Sequence, residues 1–507
     1  MNPQKSHKPT GLGAALAFIE AVGNKLPDPL TIFFLLSLMV ILASAIAAAF
    51  NLSVVHPGNG DTIVAVSLLT PEGIRRIFTS AVNNFREFPP LGTVLVAMLG
   101  VGVAEYTGFL SAVIRKIVLI APSKFICPVV VFAGIMGNIA ADAGYVVLVP
   151  LGAMVFLAFR RHPLAGLVAA FAGVAGGFSA NLLITSLDPL LAGLTQSAVE
   201  LINPNYQVNA TANYYFMAVS TLLITLIGWF VTEKIVEPRL GNYTGEADYQ
   251  MEQLSVGENK GLRWATYALL GFIAFVLVMV LPPQGILRHP ETLTIIPSPF
   301  LDSIVFIIAL AFLIPGIVYG KIAGTIENDK DIAKALSNSM SAMGYYIVLA
   351  FIAAQFIAYF SWSNLGAIMS INGAEFLKTT GITGAPLLIL FILVSMLLNL
   401  FVGSASAKWA IMAPVFVPMF MLMGYSPELT QAAYRIGDST TNIVTPLMPY
   451  FPLIVAFGQK YDQNLGMGTL IAMMLPYAIA FLLGWSILLI IWFVLGLPLG
   501  PGALMRI

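Results

Sequence analysis

The chain is poor in charge. Only 9% of its 507 residues are Asp, Glu, Lys or Arg, whereas a soluble domain carries about 25%. Its 24 basic and 24 acidic residues cancel, so the basic footprint of a nucleic-acid partner is missing and none is expected. Cysteine is nearly absent. Cys127 stands alone, which excludes an intrachain disulfide and a zinc–cysteine cluster. Histidine is scarce as well. His7, His56, His162 and His289 lie in polar segments or at the ends of apolar runs, so none is offered to a haem or redox metal within a membrane. H-E-x-x-H and a G-x-S-x-G elbow with a nearby base are also missing. The serines of residues 403–407 have no base beside them, so neither an enzyme nor a resident cofactor is expected. A cleavable signal is not expected either. The start is polar and mildly basic (Lys5, His7, Lys8), and the first strong apolar run begins near residue 30 and is long enough to span.

What the chain has instead is apolar length. It is 58% hydrophobic, with a mean hydropathy of +0.89. Apolar runs stand at 30–50, 214–231, 266–281, 300–319, 386–402 and 470–495. Runs of about 20 residues cross a hydrocarbon core of roughly 30 Å. Helices satisfy their own backbone groups in lipid, so the chain reads as an all-α polytopic membrane protein.

The longest polar stretch in mid-chain, 237–263, divides the sequence nearly in half. Segments on its two sides resemble each other. LGTVLVAMLGVGVAEYTGFL (91–110) matches MGYYIVLAFIAAQFIAYFSWSNLG (343–366), and GNIAADAGYVVLVP (137–150) matches GSASAKWAIMAP (403–414). GFSANLLITSLDP (177–189) matches GDSTTNIVTPLMP (437–449). The three pairs keep their order at a separation of roughly 260 residues, as a duplication would. We therefore divide the chain into a first half (1–236), a linker (237–263) and a second half (264–507). Corresponding loops differ in positive charge: FRRHP (159–163) carries two arginines, and MGYSPELTQ (423–431) carries none. The rule that basic loops stay inside then gives the halves opposite orientations. Inverted repeats with interrupted helices mark a secondary transporter, with its site near the midplane. Long polar stretches follow the first span of each half, and the segments that come next, 88–105 and 343–360, read as re-entrant hairpins. FPPLG and the Gly100–Gly102 pair would supply the breaks in the first of them.

Charges inside membrane segments are costly and therefore informative. Asp142, Asp188, Lys408, Arg435 and Asp438 lie within or beside the repeated motifs. Each also has a structural reading. Arg435 and Asp438 are spaced to pair on one helix face. Asp142 and Asp188 could sit at a water interface. Lys408 could snorkel to an aqueous rim or pair with Asp438, and Trp409 could belong to an interfacial belt. As a set they read differently. The small residues 403–406 let a helix unwind, and unwound backbone exposes carbonyl oxygens. Asn399, Asp438 and Asn442 in the second half add side-chain oxygens, as do Asn138, Asp142, Asn181 and Asp188 in the first. This chemistry suits Na⁺, above all at Asn399 and Asp438, or H⁺ on a desolvated carboxylate. Arg435 and half-helix N-termini suit a substrate carboxylate, and Trp409 suits an aromatic ring.

The sequence also resembles a known family. LPDPLTIF (26–33), NNFREFPPLGTVL (83–95), RRHPLAGLVAAFAGVAGGFSANLL (160–183), DPLLAG (188–193) and VTEKIVEPRLG (231–241) carry the likeness in the first half. GILRHPET (285–292), GSASAKWAIMAPVFVPMFMLMGYSPE (403–428), YRIGDSTTNIVTPL (434–447) and VLGLPLGPGA (494–503) carry it in the second. By these motifs the chain is similar to the AbgT family, the p-aminobenzoyl-glutamate transporters of bacteria. The resemblance implies a dimeric inner-membrane protein with nine spans and two re-entrant hairpins per subunit. It implies cation-linked carriage of p-aminobenzoyl-glutamate and related folate-pathway compounds and, in some members, sulfonamide export. Carried over by motif position, the site residues are Asp188, Asn399, Ser406, Trp409, Arg435, Asp438 and Pro446; Lys408 receives no role. The substrate, an aromatic ring with a dicarboxylate tail, would stack on Trp409 and meet Arg435. On that reading Trp409→Ala lowers affinity and leaves folding intact. The competing readings are a cation-coupled dicarboxylate carrier and, less well matched to paired broken segments, an ion channel.

Overall fold

The computed structural model describes residues 27–507 apart from 56–59, 120–121, 141–143, 244, 246–253, 296–297, 446–447 and 449. Asp142 and Pro446 thus lie outside the described residues. The fold is an α-helical multi-pass membrane protein. Among the described residues eight helices are long and apolar enough to span, or nine if the bent pair Phe109–Leu119 and Ser123–Ile139 is one span. Among the described residues the β-structure is a small hairpin, β1 (Ser53–Val55) paired antiparallel with β2 (Thr62–Val64), and two isolated bridges, Tyr425 with Arg506 and Gly500 with Ala503.

The first run of helices is α1 (Pro29–Ala49), α2 (Pro71–Arg86), α3 (Pro89–Tyr106), α4 (Phe109–Leu119), α5 (Ile126–Met136), α6 (Val149–Ala158), α7 (Pro163–Phe171), α8 (Leu187–Val199) and α9 (Tyr214–Val231). After α10 (Val256–Val280) come α11 (Ile304–Ala323), α12 (Asp329–Ala342), α13 (Gly344–Trp362), α14 (Leu365–Thr379) and α15 (Gly384–Asn399). The chain ends with α16 (Ala405–Leu422), α17 (Pro427–Asn442), α18 (Phe451–Gln459) and α19 (Met467–Leu495). Sequence signals set many of these starts. Pro29, Pro163 and Pro427 each occupy a first turn whose N–H groups have no helical partner in any case. The Asp28, His162 and Ser426 side chains before them accept backbone hydrogen bonds. Capping boxes close the starts of α10 (Ser255 with Glu258) and α12 (Asn328 with Asp331).

Apart from α10, the helices follow one another in the same order twice, α1 to α9 and α11 to α19. Their packing is reciprocal. α3 lies on α11 and α1 on α13; α3 lies on α12 and α2 on α13. α9 packs on its own counterpart α19, and the π-helical turn after α7 (Ala172–Gly176) packs on α17.

The hairpins are not where the sequence placed them. Segments 88–105 and 343–360 form the continuous helices α3 and α13. Pro89 and Pro90 start α3 without breaking it, and the glycines serve packing. A Cβ on Gly100 would collide with the Ala309 carbonyl oxygen, and one on Gly102 would meet Ser339. Ser339 in turn donates to the Met98 carbonyl at 2.6 Å. Small residues thus bring α3 close to α11 and α12, as in other membrane helix pairs. The chain doubles back instead at two other places. α15 and α16 meet at the non-helical tip 400–404: Asn399 touches Lys408 there, while at the far end the Gly384 N–H donates to the Tyr425 hydroxyl at 2.7 Å. α5 and α6 also run back against each other, with Gly137 against Leu148 and Val130 against Gly152. The helices after each hairpin are interrupted too: α7 is separated from α8 by 177–186, and α17 from α18 by 443–450. These four interruptions coincide with the second and third repeated motifs.

The close α3–α11 crossing predicts that Gly100→Val costs about 1–3 kcal/mol through overpacking. Gly92→Ala, with open space around its Cβ, should leave thermal stability in detergent unchanged or slightly raised. Equal melting temperatures for the two variants would contradict this packing.

Candidate substrate and ion site

The site is built around α17, whose sequence is PELTQAAYRIGDSTTN. This is a polar helix, yet all of its 16 residues are buried. Burying polar groups costs free energy unless each finds a partner, and the surrounding elements provide them. Thr430, Thr440 and Thr441 return their hydroxyls to backbone carbonyls four residues earlier. Glu428 accepts from the Tyr206 hydroxyl at 2.9 Å, and its carbonyl accepts from Asn213 Nδ2 at 2.9 Å. Gln431 Oε1 accepts from Thr195 Oγ1 at 2.8 Å. Ser439 Oγ accepts from the Ser179 N–H at 3.1 Å. Thr195, Ser179, Tyr206 and Asn213 all come from residues 1–236, so α17 is one of the elements that join the two parts of the chain.

Arg435 and Asp438 do not pair with each other, although their spacing permits it. Each has a different partner. Arg435 Nη1 lies 2.7 Å from Asp188 Oδ1, with side-chain exposures of 2% and 14%. The other Asp188 oxygen accepts from the backbone N–H (2.7 Å) and hydroxyl (3.0 Å) of Thr185. Asp188 therefore closes the interruption before α8 and faces a cation across the half boundary. The Arg435 Nε is buried and makes no hydrogen bond.

Asp438 pairs with Lys408. Nζ lies 2.5 Å from Asp438 Oδ1, and both side chains are 1% exposed. Lys408 also donates to Asn399 Oδ1. The Asn399 amide nitrogen is spent on α17, donating to the Asp438 carbonyl (2.6 Å), Thr441 Oγ1 (2.7 Å) and Asn442 Oδ1 (2.9 Å). The Tyr434 hydroxyl donates to the Ala405 carbonyl at 2.5 Å and lies 3.5 Å from Asp438 Oδ1. Asp438 Oδ2 is buried without a partner. Lys408 thus does not reach a water rim. It sits in the first turn of α16, behind the Ser404 cap, and locks the hairpin tip to α17. Asn399, Asp438 and Asn442, expected as one ion-coupling group, are indeed adjacent, but the Asn399 and Asp438 oxygens hold an ammonium.

Trp409 is 0% exposed. Its ring stacks on Tyr434 at 4.6 Å, and Nε1 donates to Thr195 Oγ1 at 2.9 Å. It is a buried link between α16, α17 and α8, not an interfacial belt residue. Ser406 is half-buried at the hairpin tip, 3.3 Å from Ser404 Oγ, and is outside the Lys408 cluster. In the first half, Asn138 and Asn181 both donate to the Ile135 carbonyl, at 3.0 and 3.2 Å. They tie the first hairpin tip to the 177–186 interruption, and Asn138 Oδ1 remains buried without a partner. Beside them a small cavity is lined by Ser179, Asn181, Asp188 and Tyr214. It shares Ala210 with an open cleft of about 580 Å³ lined by Thr93, Pro189, Gln196, Asn209 and Asp302. That volume lies within the range of small-molecule sites, about 300–1,000 Å³. Among the described residues, no group of three His, Cys, Asp or Glu side chains could hold a metal ion.

Residues 14–507 match the AbgT putative transporter family. The chain belongs to that family. It is 39% identical to the p-aminobenzoyl-glutamate transport protein of Escherichia coli (strain K12) over 495 residues, 98% of this chain and 97% of that protein. It is also similar to two solved structures. The YdaH transporter of Alcanivorax borkumensis, described as having an unusual topology, has a TM-score of 0.90 at 44% identity, covering 94% of this chain and all of that one. MtrF of Neisseria gonorrhoeae, described with a class of antimetabolite efflux pumps, has a TM-score of 0.91 at 49% identity, covering 96% and 100%. Membership of the AbgT family makes this a membrane transport protein with interrupted helices, as the sequence had implied.

The sequence gives no sign of the contacts that make α17 tolerable: Glu428, Gln431 and Tyr434 on the helix, and Thr195 on α8. Their types are common in ordinary helices, and only the all-round burial of α17 marks them. Lys408 carries a usable signal, a lone cation in an interrupted apolar run, and of its two readings in the sequence the structure bears out the pairing with Asp438. The burial of Trp409 also revises the expectation for its removal. Trp409→Ala should cost about 3–5 kcal/mol of stability, so folding would not stay intact. A melting temperature equal to wild type would show that the indole is not the packing element described.

Proposed function

We propose that this AbgT-family chain is a cation-coupled secondary transporter of p-aminobenzoyl-glutamate and related folate-pathway compounds. It works as a homodimer in the bacterial cytoplasmic membrane, and sulfonamides are a second, exported class of cargo. The observation that carries the reading is the Arg435–Asp188 pair, whose carboxylate lines the small cavity adjoining the cleft. Arg435 belongs to α17 in the second half and Asp188 to the first turn of α8 in the first. A substrate carboxylate can replace Asp188 on the guanidinium, whose Nε is still free to donate, and form a two-point contact. The E. coli relative's name supplies the substrate, and the description of MtrF supplies the antimetabolites.

The division into halves 1–236 and 264–507, related by inversion, fits this mechanism. Support comes from the repeated helix order and the reciprocal packing of α3 with α11 and α1 with α13. Opposite loop charges support the inverted orientation. A site framed by one interruption from each half is where alternating access places it. The coupling cation is Na⁺ or H⁺, with Asp438 as its carboxylate. A dicarboxylate carrier would use Arg435 equally well, but it would gain nothing from an aromatic substrate ring.

Proteoliposomes with imposed Na⁺ or H⁺ gradients test the proposal. Flux of p-aminobenzoyl-glutamate should follow one gradient, disappear in Asp438→Ala and fall by at least tenfold in Arg435→Ala. Sulfonamides should compete and simple dicarboxylates should not. Flux indifferent to both gradients would end the coupling claim, and competition by dicarboxylates alone would favour the other carrier.

A further inference from the structure

One stripe of α17 faces residues 1–236. Glu428, Gln431, Arg435 and Ser439 follow one another at spacings of three or four, which places them on one helix face. Each meets a group from residues 1–236: Tyr206, Thr195, Asp188 and Ser179 in turn. Glu428 stands apart within the stripe. Its carboxyl group is buried, with the residue 3% exposed, and none of the ion pairs among the described residues includes it. We infer that Glu428 is a proton-binding site on this boundary: it holds a proton while α17 lies against residues 1–236 and gives it up when the two separate. The inference rests on the alternating-access reading above and adds to it an ionisable site distinct from Asp438.

The surroundings leave Glu428 without a counter-charge. It lies in the first turn of α17, outside the eight membrane-spanning helices. α15, α19 and the π-helical turn at 172–176 pack on α17 and carry no Asp, Glu, Lys, Arg or His. Tyr477 on α19 shares a hydrogen bond with Thr232. α16 brings Lys408, which is committed to Asp438. α8 brings Asp188, which is committed to Arg435, and is followed by Glu200, which accepts from Gln196. On α17 itself, Tyr434 donates to the Ala405 carbonyl. Before the helix, the Tyr425 hydroxyl accepts from the Gly384 N–H, and Arg506, bridged to Tyr425, lies over the Phe493 ring. The groups that meet Glu428 from residues 1–236 are neutral: Tyr206 donates to Oε2 at 2.9 Å, and Asn213 Nδ2 donates to the backbone carbonyl at 2.9 Å.

A carboxylate in this place has neither water nor a cation to stabilise it, so the closed boundary favours the acid form. The acid form also adds a donor to a cluster that has an acceptor to spare. Asn213 Oδ1, on the same amide group that touches the Glu428 carbonyl, is buried without a partner. When α17 separates from residues 1–236, water reaches the stripe. The O–H bond of Glu428 then breaks, its electron pair stays on the carboxylate oxygen and the proton leaves to water. The same movement parts Arg435 from Asp188 and frees the guanidinium for a substrate carboxylate. Closing reverses both steps. The closed state therefore binds one proton more than the open state, so a rise in pH favours opening. Gln431 and Ser439 do not titrate, and Arg435 keeps its charge throughout.

The test is thiol labelling of the purified full-length protein in detergent, measured across pH. Ala432 lies on the same stripe one turn after Glu428 and is fully buried. With the lone native cysteine removed as Cys127→Ser, Ala432→Cys reacts with a water-soluble maleimide only when the boundary opens. Each rate is divided by that of a free thiol at the same pH. The corrected rate should rise about tenfold per pH unit until the acid form is exhausted, as loss of one proton on opening requires. With Glu428→Gln added it should be flat with pH, because the amide keeps the size of the side chain and an oxygen for Tyr206 but cannot ionise. Glu428→Met, of similar volume, should be flat as well, and it serves where the amide variant does not fold. A rate in the Glu428 protein that is flat with pH or absent at every pH would overturn the inference, as would an equal slope in Glu428→Gln. Gradient-driven flux of the wild type in proteoliposomes separates this from the transport reading. Flux together with flat labelling overturns the proton site alone; sloped labelling without flux overturns the transport reading alone.

Discussion

The structure depends on burying a polar helix inside a protein that is itself buried in lipid. α17 has only a narrow apolar stripe to offer (Leu429, Ala432, Ala433 and Ile436), and all of its 16 residues are buried. Every other element near it is constrained by the need to satisfy it. The hairpin tip at 400–404 brings in Lys408 for Asp438 and Asn399 for the polar end of the helix. The interruption at 177–186 brings in Ser179 for Ser439, and the first turn of α8 brings in Asp188 for Arg435. α8 brings in Thr195 for Gln431. A buried ion pair adds little to stability over an apolar substitute, yet losing one partner costs about 3–5 kcal/mol. The two pairs on α17 are therefore better understood as fixing which elements surround the helix than as holding the protein together.

This constraint accounts for what could and could not be read in advance. Membrane class, repeated order and the four interruptions were legible because they rest on composition and small-residue motifs. Asp188, Asn399, Trp409, Arg435, Asp438 and Asn442 were legible as a set because polar residues in apolar runs are rare. Of their pairings, Lys408 with Asp438 was one of the alternatives open in the sequence, and Asp188 with Arg435 was not. Arg435 and Asp438 are three residues apart on one helix, so local geometry favoured each other as partners. Tertiary structure decided otherwise, supplying Asp188 and Lys408 from segments distant in sequence. The hairpins were misplaced for a related reason. Gly100 and Gly102 look like breaks, but a glycine in a membrane helix equally serves a neighbour that comes close, and here Ala309 and Ser339 do. Trp409 looked available to a ligand because a lone indole beside a break has no visible partner in sequence; Tyr434 and Thr195 supply both its stack and its hydrogen bond.

The two ion pairs differ in what they join. Lys408–Asp438 lies wholly within the second half, between a hairpin tip and the helix that follows it. Arg435–Asp188 crosses from that helix to the first half. A change confined to the hairpin disturbs the first pair alone, whereas a movement of one half against the other must stretch the second. Arg435 and Asp438 sit one helical turn apart on α17, with Tyr434 between Trp409 and Asp438. The helix therefore joins the two pairs through a short, rigid path: the first holds the hairpin tip against α17, and the second holds the start of α8 against it.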